Sequence, residues 1–188
     1  MRHKYLARAL VLSRVPIGEA SVSVSLLTEE FGLIRARAQG ARKPGSKTAA
    51  ALQTFALSDV GLVRGKDGWR TASAVLDTNW ASGLPAAART RAARVTQLAE
   101  RLVRGETTDA TLFSMLTAYV EALEQTPDEF QDAAETLAAL RLLHILGFDA
   151  GNTYGEADDF SMKALEEAER LRSDLIARIN RGITASGL

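Results

Sequence analysis

The spacing of apolar residues changes once along this chain, near Leu84, and that change dictates a two-part architecture. Before it, Ser21–Thr28 reads S-V-S-V-S-L-L-T and Leu33–Ala38 reads L-I-R-A-R-A, polar and apolar residues alternating. Side chains on a strand point alternately to opposite faces, so each run predicts a strand with one buried face. After Leu84 the apolar residues recur every three or four positions, the spacing of amphipathic helices. The expected class is α+β: a five-stranded N-terminal barrel over residues 1–80, then an all-α domain over residues 81–188.

Strands are expected at Tyr5–Arg14, Ser21–Thr28, Leu33–Ala38, Phe55–Arg64 and Trp69–Leu76. Pro16 and Gly18 punctuate the first turn, and Glu29-Glu30-Phe31-Gly32 closes a hairpin between the next two strands. Gly40–Lys47 reads as a loop and Thr48–Gln53 as a turn of helix. Gly65-Lys66-Asp67-Gly68 is a tight hairpin turn with Asp-Gly at its tip. Five short strands joined this way suit an OB barrel, and an SH3-like barrel fits the count nearly as well.

In the second half, Ala86–Arg104 reads as a helix with Val95, Leu98 and Leu102 on one face, opened by Pro85 and stopped by Gly105. Thr108 or Asp109 caps Ala110–Gln125, whose stripe is Leu112, Met115, Leu116, Tyr119, Val120 and Leu123. A third helix opens at Pro127-Asp128 and runs to about Leu146, with Leu137, Leu140, Leu143 and His144 at helical spacing and Gly147 as its stop. Residues 147–160 are polar without a period. Ser161 is placed to cap a last helix, Met162–Asn180, and Gly182–Leu188 is expected to fray.

Formal charge sums to zero, but not evenly: residues 1–80 carry twelve Lys/Arg against six Asp/Glu, and residues 81–188 carry eleven against seventeen. Five of the thirteen residues in Arg35–Lys47 (R-A-R-A-Q-G-A-R-K-P-G-S-K) are basic and none is acidic. Arg35 and Arg37 share a strand face, and Arg42, Lys43 and Lys47 continue the charge into the loop. A cationic ribbon of this kind suits a polyanion, nucleic acid first, or else it is a solvated strand and turn. Arg64, Lys66 and Arg70 flank the last hairpin, and Arg14 lies on the first strand. Aromatic residues for base stacking are few, only Phe31, Phe55 and Trp69 between Tyr5 and Trp80, so phosphate contacts with little base specificity are expected.

Enzymatic chemistry finds little support. The chain has no cysteine, which excludes disulfides and thiolate metal sites. Of its two histidines, His3 is terminal and His144 is expected to be a packed, hydrogen-bonded core residue. Glu156, Asp158 and Asp159 lack the further oxygen ligands that a calcium loop needs. The stretch ending Lys47-Thr48 approaches a phosphate-binding loop, but Ala41 and Ser46 stand where glycines must let the backbone wrap phosphates. No apolar run nears the ~20 residues that span a bilayer, and Arg8 and Arg14 interrupt any signal-like segment. No cofactor and no metal are expected.

The run L-S-R-V-P-I-G-E, L-L-T-E-E-F-G, A-Q-G-A-R-K-P-G-S-K and A-L-Q-T-F, dense over residues 9–55, closely resembles the N-terminal domain of the bacterial RecO family. E-T-L-A-A-L-R-L-L-H-I-L-G-F at 135–148 is similar to the family's helix before its C-terminal segment. The resemblance implies a recombination mediator of DNA repair with an OB domain and a helical domain. Such proteins bind single- and double-stranded DNA, anneal complementary strands and recognise the acidic tail of single-stranded-DNA-binding protein. With RecR they help load RecA.

It also implies a non-enzymatic, cytoplasmic, nucleoid-associated protein. Arg14, Arg35, Arg37, Arg42, Lys43, Lys47, Arg64, Lys66 and Arg70 are the candidate DNA contacts. Arg141, with Leu142, Leu143 and Leu146, is the candidate site for the tail, although these leucines equally suit a bundle core. The chain departs from the family in lacking the four cysteines of its zinc site and in being shorter, which puts RecR contact in question. The alternative is a protein-interaction adaptor whose barrel contacts RNA or DNA only weakly.

Overall fold

The computed structural model describes residues 3–188. They divide into two compact units. One holds the residues to Gly83 together with Arg104–Phe113; the other holds Leu84–Val103 and Ser114–Leu188.

The first unit is a closed five-stranded barrel with strand order β1-β2-β3-β5-β4. Its strands are β1 (Lys4–Ile17), β2 (Ser21–Thr28), β3 (Gly32–Ala38), β4 (Ala56–Gly65) and β5 (Gly68–Asn79). Closure depends on the length of β1. Its first part, Lys4–Leu10, pairs with β4, and Ala9–Ile17 pairs with β2. Between Val11 and Ser13 the register slips, leaving Leu12 as an extra residue that bends the strand around the barrel. The remaining seam is a short parallel pairing of β3 with β5, Ala36 opposite Trp69 and Arg37 opposite Arg70.

Alanine is prominent among the inward positions: Ala7, Ala9, Ala36, Ala38, Ala56 and Ala74 lie beside Val24, Leu26, Ile34, Val60 and Leu62. A narrow barrel has room for large side chains on some strands only if small ones face them. Phe55 belongs to this interior boundary, 4% exposed, with its N–H donating to the Val11 carbonyl at 2.8 Å and its φ at 66°.

Several boundaries differ from the expectation. Pro16 is not a turn residue; it lies within β1 opposite Val22, and the turn begins at Gly18. By then β1 has run past its β4 pairing, so the missing N–H is not needed on that side. The last hairpin turns on Lys66-Asp67, because Gly68 already pairs with Gly65. β2 is buried on more than one face: Ser21, Ser25 and Leu27 have little exposure although they alternate with the core valines. Ser23 and Ser25 stand opposite Arg37 and Arg35, whose long stems rise above a hydroxymethyl group.

In the second unit α3 (Gln131–Ile145) is central and packs against α1 (Ala86–Leu102), α4 (Met162–Arg170) and α5 (Arg172–Ser186). This position buries α3 nearly all round, Ala133, Ala134, Leu137, Leu140, Leu142 and Leu143 included, so it carries no single apolar stripe. α2 (Ala110–Gln125) is capped by Asp109, whose carboxylate accepts the Leu112 N–H at 3.0 Å, and its predicted stripe is fully buried. α1 ends at Leu102, where Val103 turns extended, before Gly105 is reached.

The single last helix expected from the sequence is two, broken at Leu171. Nor does its end fray. α5 continues to Ser186 because Gly182 is buried, so close to Leu143 that a Cβ there would lie 3.0 Å from it. Among the described residues no helix is long and apolar enough to cross a membrane.

Candidate nucleic-acid interface

The cross-strand register assembles a row of side chains around the outside of the barrel. Val15 on β1 pairs with Ser23, Ser23 with Arg37, Arg37 with Arg70, Arg70 with Val63, and Val63 with Lys4. The adjoining row is Ser13, Ser25 and Arg35. Arg35 and Arg37 are exposed, and their inward neighbours Ile34, Ala36 and Ala38 are buried. The β3 sequence R-A-R-A thus puts every charge outside and every methyl inside, as period two requires. Arg70, thirty-three positions away in sequence, becomes a neighbour of Arg37 only through the parallel seam.

Two further groups of cations flank these rows. At the hairpin end, Arg64, Lys66 and Arg70 line an open cleft of about 510 Å³ together with Gly65 and Asp67. At the other end the β3–β4 loop is fastened to the β1–β2 turn. The Arg42 N–H donates to the Ala20 carbonyl at 3.1 Å, and its Nη1 donates to the Gly18 carbonyl at 2.9 Å. Arg14 reaches the same loop, with Nη2 3.5 Å from the Ala41 carbonyl oxygen. Lys43 and Lys47 are exposed on that loop. Arg14 and Arg42 therefore spend donors on holding the loop, whereas Arg35, Arg37, Lys43 and Lys47 present theirs outward.

Three aromatic residues of this half, Tyr5, Phe31 and Trp69, pack on one another. Tyr5 meets Phe31 and Trp69 edge to face at ring-centre distances of 5.6 and 5.4 Å, and Phe31 lies tilted 5.6 Å from Trp69. Trp69 is 7% exposed, so its face is not a free stacking surface. Arg64 lies over its ring at 5.2 Å.

Sequence reasoning missed Glu106. It lies in the segment that returns to the barrel unit, and its carboxylate accepts the Trp69 indole N–H at 2.9 Å and the Arg64 Nη1–H at 3.0 Å. Beside it, Thr107 packs so tightly on Gly32 that a Cβ there would sit 2.1 Å from the Thr107 carbonyl oxygen. Gly32 (φ 67°) is therefore required twice, for its backbone angle and for this approach. Nothing in the local pattern around Glu106 signals a contact with residues about forty positions earlier.

The helical unit encloses most of the candidate tail site. Arg141 is completely buried, with Leu142 and Leu143, and only Leu146 has partial exposure. The Arg141 guanidinium is spent on the loop between α3 and α4. Its Nη1 donates to the carbonyls of Asp159 at 2.6 Å and Ala157 at 3.4 Å, Nη2 to Tyr154 at 3.1 Å, and Nε to Thr153 at 3.3 Å. Its Cζ lies over the Phe160 ring, 5.0 Å from the ring centre. Burial pulls its pKa down to about 10, so it stays charged at neutral pH. Four of its five N–H donors are committed to carbonyls in a buried site, which leaves no free fork for bidentate capture of a peptide carboxylate.

Arg178 secures the start of the same loop. It pairs with Asp149 and donates to the Asn152 carbonyl at 2.8 Å, and that pairing holds the Asp149 carboxyl below its usual range. His144 is not a core residue; its side chain is 42% exposed and lies 3.9 Å from Asp149. The polar stretch 147–160 is thus an ordered loop, built around two arginines. On the other side of α3, Asp132 accepts from Arg91 and Arg172, which lowers its pKa, while burial raises that of Glu135 beside Arg94.

A closed five-stranded barrel of this strand order defines an OB-fold domain, here with a basic outer row. Residues 1–76 match the family model described as "Recombination protein O N terminal". The protein called DNA repair protein RecO in Dehalococcoides mccartyi is 33% identical over 129 residues, covering 66% of this chain and 49% of that protein. Its namesake in a Cyanothece species is 28% identical over 148 residues, 78% of this chain and 50% of the relative. Over a shorter stretch of 66 residues, the Acaryochloris marina protein of the same name is 41% identical, covering 35% of this chain and 22% of its own. Residues 1–76 are thus of the RecO N-terminal family, and the chain carries no cysteine. It spans about half the length of the curated relatives it matches.

Proposed function

We propose that this protein acts in recombinational DNA repair by binding DNA through the outer face of β3 and β5 and annealing complementary single strands. The observation that carries this reading is the cationic row, Arg35 and Arg37 on β3 with Arg70 beside them on β5, flanked by small serines on β2. Ser23, half-buried and small, leaves room beside Arg37 for a backbone to approach, and guanidinium groups can take two phosphate oxygens at once. With no free aromatic platform, binding is set by phosphate contacts and is almost indifferent to sequence. Annealing follows from charge: two strands held on one cationic surface lose most of their mutual repulsion, and no cofactor is needed.

As a mediator the protein works on strands coated with single-stranded-DNA-binding protein, recognises that protein's acidic tail and acts with RecR to load RecA. Either single or duplex DNA satisfies the phosphate row. The tail surface lies outside Arg141–Leu143, because those residues are buried. Residues 1–80 act as the DNA-binding domain and the helical residues as the partner-binding one, in a cytoplasmic, nucleoid-associated protein that is not an enzyme.

The test is annealing of complementary oligonucleotides, bare and coated, by wild type and by an Arg35→Ala/Arg37→Ala variant. Wild type should accelerate both reactions and the variant should lose most of that acceleration. Equal annealing by the two proteins would overturn the assignment of this face. A second reading, an adaptor whose barrel touches RNA or DNA only weakly, draws on the engagement of Arg42 with Gly18 and of Arg64 with Glu106. It predicts no annealing by wild type at any salt.

A further inference from the structure

The Glu106 carboxylate bridges two donors of different origin. One oxygen accepts the Trp69 indole N–H at 2.9 Å and the other accepts Arg64 Nη1–H at 3.0 Å. A phosphodiester presents the same pattern, two anionic oxygens on one centre. The pair sits beside the cleft of Arg64, Lys66 and Arg70, where the only lining anion is Asp67. Both partners remain accessible, with Arg64 60% and Glu106 39% exposed at the side chain. Exposed pairs of this kind contribute little to stability and exchange readily for another anion.

We propose that Glu106 is an internal stand-in for a nucleic-acid phosphate, so that binding of a single strand at the hairpin cleft displaces its carboxylate from Arg64 and Trp69. The inference rests on the reading that the barrel binds DNA, and it adds a self-competing subsite. Displacement requires only rotation of one side chain. The backbone of the segment stays anchored, because Thr107 is packed on Gly32 with no space between them. The displaced carboxylate turns to water, and the phosphate takes over both donors: Arg64 keeps a counter-charge, and the indole N–H keeps an acceptor. Lys66 and Arg70 then lie on the path of the strand beyond that phosphate. Glu106 thereby lowers affinity for the strand, because the phosphate must displace it.

The experiment measures binding of a fluorescein-labelled oligothymidylate by anisotropy across a salt series. The proteins are wild type, Glu106→Gln, Arg64→Gln, the double variant and a control, Glu124→Gln, on the exposed side of α2. Glutamine keeps an acceptor for Trp69 and removes the charge, and circular dichroism checks folding of each protein.

Glu106→Gln should bind about fivefold tighter at 0.1 M salt, the size of an exposed ion pair no longer given up, with a slope close to that of wild type because both complexes contain the same phosphate contact. The gain should vanish when Arg64 is also replaced, and Glu124→Gln should show none of it. The proposal is overturned if Glu106→Gln binds no tighter than wild type while wild type binds with ordinary salt dependence. An equal gain in the Arg64→Gln background, or in the Glu124 control, overturns it too, since that would be bulk charge. Absence of binding by wild type at every salt would instead remove the DNA reading itself.

Discussion

Replacing Arg141 by methionine separates a structural role from a partner-binding one. The substitution keeps an unbranched stem in the α3 interior and deletes the guanidinium. Four carbonyl contacts are lost, two of them within 3.1 Å, together with the stack on Phe160. Charge-assisted hydrogen bonds are worth about 1.5–3 kcal/mol each, and an aromatic–cation contact about 0.5–2 kcal/mol. Against this stands the cost of burying the guanidinium, several kcal/mol, which methionine does not incur.

The net loss should be roughly 3–5 kcal/mol, the range for removing one partner of a buried charged interaction. At about 2–4 °C per kcal/mol for a chain of this size, the melting midpoint should fall by about 6–20 °C. Arg141→Lys should fall partway, because one ammonium cannot spread its donors over carbonyls arranged around a planar fork. Far-ultraviolet circular dichroism during heating, with urea unfolding as a second measure, reads both effects. A midpoint within about 1 °C of wild type, accompanied by loss of binding to an acidic C-terminal peptide, would refute the reasoning and return Arg141 to the surface.

The same chemistry gives further expectations. Arg35→Ala with Arg37→Ala should lower the salt slope for single strands by about 1.4, equal to a roughly 25-fold affinity loss at 0.1 M relative to 1 M salt, alike for all sequences. A titration on two unrelated oligonucleotides checks both points. Gly32→Ala should destabilise the barrel by more than about 1 kcal/mol, since its φ is 67° and the new methyl would meet the Thr107 carbonyl. Chemical unfolding followed by tryptophan fluorescence measures it.

On the acid side, Asp149 is held low by Arg178, so the native state binds fewer protons than the unfolded chain just below the ordinary aspartate pKa of about 4. Its stabilisation is complete above that value and lost as pH falls through the folded one. Asp149→Asn should therefore flatten the acid limb of the melting-temperature profile. Glu135, raised by burial, acts in the opposite sense, its contribution being present at low pH and lost as pH rises through its folded value.

Local pattern was a sound guide wherever one element decided the outcome. Ser21–Thr28 and Ala110–Gln125 have their predicted bounds, because alternation and an Asp109 cap are properties of a few consecutive residues. Arg35 and Arg37 face outward for the same reason. It misled where a distant segment took control. His144 shares the spacing of the buried leucines yet faces solvent, and Arg141, which looked like a surface cation, is enclosed by a loop that arrives twelve to eighteen residues later. The last helix breaks at Leu171, and its end is ordered because Gly182 lies against Leu143, a contact invisible from either position.

From the sequence alone came the order of strands and helices, the cationic character of the first half and the family resemblance, all carried by residues close together in the chain. Only the tertiary structure decided which cations are free. The parallel seam brought Arg70 to Arg37, the segment around Glu106 engaged Arg64, and the loop after α3 consumed Arg141. The physical reason is common to all three. A charged side chain takes its partner from whatever polar group folding places within about 3 Å, and chain order does not encode that distance.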